Sequence, residues 1–194
     1  MSEKFRELIQ RAGLFLYELL DPKTGKVPRY GNDDGALIFP LSNSEYGDFR
    51  PVIQSTSWIT AGERLLPPGL WDEEALWLSG TVPLERSQLR KQSALVVGGE
   101  GGCHVLRTSK SFVMARAGHH VHRPADSDHL HVDVWWRGNN VALDPGTYSY
   151  NAEGIWQSIP LRRSEFHNTV TVDGEEQAEQ VSRFMVLPLS LIHI

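Results

Sequence analysis

Two short stretches hold the residues whose types and spacing could do chemistry. The first runs from Asp126 to Tyr150 and includes His129, His131, Asp133 and Asp144; the second runs from Arg163 to Gly174 and includes His167. Between His129 and Trp136 the residues alternate. His129, His131, Asp133 and Trp135 share one side of a strand, and Leu130, Val132, Val134 and Trp136 share the other. The alternation predicts a polar face and a core face.

Gly138-Asn139 has the composition of a two-residue hairpin turn, which would pair Arg137 with Asn140 and set Asp133 opposite Asp144. Like charges directly opposite destabilise a sheet unless something neutralises them, and a cation is the simplest remedy. A strand from Phe166 to Val172 repeats the pattern, with Phe166, Val170 and Val172 inward and His167, Thr169 and Thr171 on the other face. His131, Asp144 and His167 then form a nitrogen, oxygen, nitrogen ligand set suited to zinc. The same residues also suit a solvated sheet face, and Asp144 before Pro145-Gly146 suits a turn capped by its own side chain.

The elements that must position these residues fall into two halves. From Ser2 to Leu20, the residues Phe5, Leu8, Ile9, Ala12, Phe15, Leu16, Leu19 and Leu20 recur at helical spacing, and Asp21-Pro22 to Gly25 ends that helix. Pro51 to Leu65 and Trp71 to Leu78 continue the helical character, joined by loops that hold Tyr30, Tyr46 and Arg50. From about Thr81 the pattern becomes strand and turn, with strands at 103–107, 112–116, 130–136, 141–144 and 166–172. The expected class is therefore α+β, a helical first part followed by an antiparallel β-sandwich.

Composition narrows the functions. With 194 residues, a net charge of −5 and no basic run, the chain does not have the profile of a nucleic-acid binder. No apolar run is long enough to span a bilayer, and the single Cys103 forms no disulfide within the chain. The first residues lack the apolar core of a secretion signal, which leaves the compartment unknown. Basic residues nonetheless cluster at His119, His120, His122, Arg123, His129 and His131, a pattern suited to an anionic ligand.

Asp144-Pro-Gly-Thr147, Phe166-His-Asn-Thr-Val170 and Val172-Asp-Gly174 resemble the β-sandwich region of heparinase II/III-like proteins, a family of polysaccharide lyases. The loops Tyr30 to Ala36 and Tyr46 to Pro51 resemble the end of the α/α toroid that precedes that sandwich. The resemblance implies a toroid remnant at 1–80 and the first part of a sandwich at 81–188. Residues 189–194 match the translation of a sequencing adapter and are expected to be non-native.

The resemblance further implies β-elimination on uronic-acid-containing polysaccharides such as glycosaminoglycans or alginate. In that chemistry a base removes the proton beside the uronate carboxylate, cationic or amide groups neutralise that carboxylate, and an acid protonates the leaving oxygen. Carried over by position, Tyr30 (with Tyr46 in reserve) and His129 are the catalytic candidates. Arg50, His122 and Arg123 are the candidates for holding substrate. Asp144 and His167 match the family's structural zinc ligands; the third is His131, which shares a face with Asp144, or else Asp126. The family's carboxylate-holding Asn and His have no counterpart here, so the chain is expected to be a fragment, inactive alone. The competing readings are a noncatalytic carbohydrate-binding sandwich and, ranked last, a cupin-like metalloenzyme based on His129-Leu-His131.

Overall fold

The computed structural model describes every residue except 32, 34, 82–89, 100–101, 119–125, 147, 149–152, 158, 183–184 and 189–194; for 156–157, 180–182 and 185–188 it describes the backbone alone. His122, Arg123 and residues 189–194 thus lie outside the described residues. The chain divides into two compact units, Met1–Val27 with Leu37–Ser93, and Pro28–Ala36 with Ala94–Ile194. The class is α+β, as the residue pattern predicts.

The first unit is helical. Helix α1 (Glu3–Leu19) starts where the Ser2 side chain accepts from the Phe5 N–H, satisfying one of the amides that a helix start leaves open. Helix α2 (Arg50–Ala61) has Pro51 in its first turn, where a missing N–H costs nothing, and stops at Gly62 in the left-handed conformation, four residues before the predicted end. Helix α3 (Asp72–Ser79) opens with three acidic residues against the positive end of its dipole. Tyr17, Leu20, Ile53, Leu65 and Leu66 form the core. Phe5, Leu8 and Phe15 of the predicted α1 stripe remain exposed.

The second unit is a five-stranded antiparallel meander of β1 (Leu95–Val96), β2 (Cys103–Arg107), β3 (Ser111–Arg116), β4 (Val132–Trp136) and β5 (Asn139–Ala142). A separate hairpin pairs β6 (Ala178–Ser182) with β7 (Met185–Pro188). One sheet face buries Cys103, Val105, Phe112, Met114, Arg116, His131, Asp133 and Trp135. On it Phe112 stacks on Trp135, with ring centroids 5.5 Å apart.

Three local expectations are corrected. The β4–β5 turn is Arg137-Gly138, both with positive φ (52° and 83°), and it pairs Trp136 with Asn139 and Trp135 with Asn140. This register sets the Asn140 amide 3.3 Å from the Asp133 carboxylate, supplying a buried acid with a donor. A bulge between Val134 and Trp135 then shifts the pairing, and Asp133 does not face Asp144 in the ladder.

Second, the face bearing His131 and Asp133 is the buried one, while Leu130, Trp136, Val141 and Leu143 are exposed. Polar groups can occupy a core when each finds a partner, and here they do so in part. Third, residues 166–172 form no strand. Ser164–Phe166 is a 3-10 turn, an isolated bridge joins Val172 to Glu175, and Phe166, Val170 and Val172 are exposed.

Candidate metal centre

His131, Asp144 and His167 arrive from three separate segments. His131 immediately precedes β4, in a tight turn where its N–H donates to the Asp128 carbonyl (3.0 Å) and Leu130 takes a positive φ of 62°. Asp144 follows β5. Its Oδ1 accepts from the Gly146 N–H (2.7 Å), which leaves Oδ2 facing inward. His167 follows the 3-10 turn, and the next residue ties that segment to β4: the Val132 N–H donates to the Asn168 carbonyl (2.9 Å).

The three side chains offer ligand atoms that all lie within 4.8 Å of one another, and all three residues are buried. Oδ2 of Asp144 lies 3.2 Å from Nδ1 of His167 and 3.9 Å from Nε2 of His131. Ligand atoms about 2.0–2.1 Å from a tetrahedral ion stand about 3.3 Å apart, so the spacing is close to what zinc requires. Nε2 of His131 and both ring nitrogens of His167 are buried without a hydrogen-bond partner. The approach of His167 to Asp144 is within ion-pair range but lacks hydrogen-bond geometry. Orphaned polar atoms converging on one carboxylate oxygen are costly unless something occupies the space between them.

Burial pushes His131 below the usual histidine range despite the nearby Asp144, which favours the neutral ring. For His167 burial also works downward, but the close approach and charge of Asp144 outweigh it and raise the group. Asp144 is pushed upward by burial and held below its ordinary value by His167 and the Gly146 N–H. Asp133, which accepts the Asp144 backbone N–H, is raised by burial to about 6.

Around the triad stand Asp126, 3.9 Å from Arg162, and Asp128, paired with the buried Arg116. Burial raises both carboxyls, and the neighbouring guanidinium groups oppose that rise. Arg162 lies near Asp126, and Arg116 near Asp128 and Asp144, whereas Asp133 has no guanidinium ion pair among the described residues.

The Asn168 N–H donates to Nδ1 of His131 (3.2 Å), which assigns the ring proton to Nε2. Ligation of a metal through Nε2 would require the ring proton on Nδ1 instead, at the cost of that Asn168 contact.

Of the other predicted site residues, Tyr30 belongs to the same unit. Its ring lies against Arg116, with the guanidinium carbon 4.5 Å from the centroid, and its hydroxyl is bonded to the Cys103 thiol. His129 is half-buried, and its backbone is gripped by Gln177, which accepts from the His129 N–H (2.8 Å) and donates to its carbonyl (3.1 Å). Asp126 pairs with Arg162 and does not join the triad. Arg50 sits in the helical unit, paired with Asp48 (2.7 Å) and stacked on Trp71, beside a cleft of about 320 Å³ that Tyr46 also lines.

Sequence reasoning missed Arg116, Asp128, Arg29 and Gln177. Arg29 donates to the carbonyl of Pro145 (2.5 Å) and so braces the turn that aims Asp144. Arg116 left a signal, because it continues the inward series Phe112, Met114 on β3. A buried arginine demands a buried anion.

The family description heparinase II/III-like, C-terminal, matches residues 90–192, more than half of the chain and all of the segments that bear the triad. No curated protein matches the sequence.

Proposed function

Because the chain belongs to the heparinase II/III-like family, we propose that it serves a polysaccharide lyase that cleaves uronic-acid-containing chains by β-elimination, and that His131, Asp144 and His167 hold a zinc ion. The observation that carries the metal reading is the convergence of one buried ring nitrogen from each histidine, neither making a hydrogen bond, on one carboxylate oxygen. Two imidazoles and a carboxylate make a donor set that zinc favours over magnesium or calcium, which take oxygen.

Bound there, zinc would supply a fixed double charge that ties three segments together. Three protein ligands leave a fourth position, but the burial of all three ligands separates it from bulk solvent, and we read the role as structural. The protein's own residues would carry the reaction. His129, whose backbone is gripped by Gln177, would exchange a proton with substrate, and Tyr30, raised by burial, would keep the proton that a departing sugar oxygen needs. His122 and Arg123 are proposed to take the uronate carboxylate, and Arg50 of the helical unit, paired with Asp48, is kept as a separate candidate for substrate contact. The Asn and His of the family pattern have no counterpart among these residues, so the chain alone is expected not to cleave.

Metal analysis of the purified protein tests the first part, with about one zinc per chain expected and loss of zinc in His167→Ala. Wild-type protein without bound metal that also takes up none on titration refutes the site. For the second part, the protein is incubated with heparin, chondroitin or alginate. An unsaturated uronate end absorbing in the ultraviolet is the product that marks lyase action. Binding of these polymers without that product would favour a noncatalytic carbohydrate-binding role.

A further inference from the structure

Arg116 closes β3 on the buried face and reaches two sides of the metal pocket. Its N–H donates to the His131 carbonyl (2.9 Å), and its own carbonyl accepts from the Leu130 N–H (2.8 Å). Its side chain pairs with Asp128 and stands 3.8 Å from Oδ2 of Asp144, the oxygen that both histidines face. The guanidinium also lies against the Tyr30 ring. Tyr30 in turn donates its hydroxyl to Cys103, the residue across the ladder from Arg116.

A buried cation beside a cation site is unfavourable unless it is neutralised, and Asp128 neutralises this one. Arg116 therefore contributes shape more than charge. One nitrogen, Nη1, faces both Asp128 and Asp144 while the guanidinium lies over the Tyr30 ring; the ammonium of lysine could reach a carboxylate but could not offer that ring a planar group to stack on.

We propose that Arg116 is a positioning residue that couples Tyr30 to the metal centre. The inference rests on the reading that the triad holds a divalent ion. The guanidinium fixes the direction in which Asp144 presents Oδ2, and the Tyr30 ring fixes the guanidinium, so a change at this half-exposed ring is felt at the ion. Groups that orient metal ligands in this way typically change affinity by about 10–100-fold when removed.

The test uses the whole chain, stripped of metal and titrated with Co²⁺ against a chromophoric chelator; the visible absorption of bound cobalt reports ligand geometry. Arg116→Lys weakens cobalt binding by about 10–100-fold. Tyr30→Ala weakens it by about 10-fold and shifts the cobalt absorption, whereas Tyr30→Phe, which keeps the ring, restores both. In the Arg116→Lys background Tyr30→Ala adds little, because the path is already cut.

Wild-type affinity and an unchanged cobalt spectrum in Tyr30→Ala overturn the coupling, as do effects that simply add. Tyr30 is 47% exposed, so its variants decide the matter even if Arg116→Lys does not fold. A wild-type chain that binds no cobalt, or a His167→Ala variant that binds it as tightly as wild type, overturns the metal reading itself and the coupling with it.

Discussion

Asp133 is the most direct gauge of the electrostatics around the triad. It is fully buried and partnered by the Asn140 amide, yet burial raises its carboxyl from 3.8 to about 6. A group whose folded value lies above its unfolded value contributes stability below the unfolded value, and that contribution is lost as pH rises through the folded one. In metal-free protein the loss should therefore run from about pH 4 to pH 6 and be complete above that. A difference of about 2 pH units corresponds to roughly 3 kcal/mol at most. Asp133→Asn keeps the shape and removes the charge, so in EDTA at pH 8 it should be more stable than wild type by up to about 3 kcal/mol. For a chain of this size that is on the order of 5–10 °C in melting temperature. The gap should close as pH falls toward 4, and saturating zinc should narrow it by supplying positive charge. Thermal melts of both proteins across that range, with and without zinc, check the argument. A variant no more stable than wild type at pH 8 in EDTA, or a gap independent of pH, would refute it.

Three further outcomes follow from the loop that presents His167. Glu176 accepts from the Ser164 N–H and from Arg163, both at 2.9 Å, and although burial works upward these partners hold its carboxyl below the usual range. Its contribution is present above its unfolded value and lost as pH falls through the folded one, so Glu176→Gln should cost about 1 kcal/mol at pH 7 and less under acid, as read by denaturant titration. Gln177→Ala removes an amide that also donates to Thr169 and Val170, and hydrogen exchange at the His129 N–H should accelerate at least tenfold, since about 1.4 kcal/mol of local opening energy suffices for that. Zinc should slow exchange across 163–170 more than across β2 and β3, whose ladder stands without it; equal protection in both regions would show that the ion does not hold the loop.

The triad was legible in the sequence even though the hairpin register was not. A hairpin returns the chain to where its first strand began, so Asp144 comes back near His131 whether the turn is centred on residues 137–138 or 138–139. Only the partners of Asp133 depend on that choice, and there the expected Asp133–Asp144 pair gave way to Asn140. Periodicity likewise distinguished the two sheet faces without revealing which is buried. It ranks faces by hydrophobicity, while burial here follows from compensation: Asn140 serves Asp133, and Asp128 serves Arg116. The strand expected at 166–172 failed for a related reason. Its alternation is real, but Val170 and Val172 are exposed, and among the described residues that backbone makes the bridge at Val172 and isolated bonds to Val132 and Gln177 rather than a ladder.

That failure bears on what the ion would do. His131 and Asp144 flank a hairpin held by a ladder, whereas His167 sits on irregular chain held by scattered contacts: the Asn168 carbonyl on Val132, the Asn168 amide on the Leu143 carbonyl (3.1 Å), Thr169 on the His129 carbonyl, and Glu176 and Gln177 behind it. Each such bond contributes about 1 kcal/mol net, while ordering each residue of the loop costs about as much. That segment buries a histidine whose ring nitrogens make no hydrogen bond and whose ion-pair partner is Asp144 at 3.2 Å, so a bound ion would add a further pull. The ligand that most needs the ion is thus the one carried by the least regular chain, as expected of a metal that acts as a cross-link between a sheet and a loop.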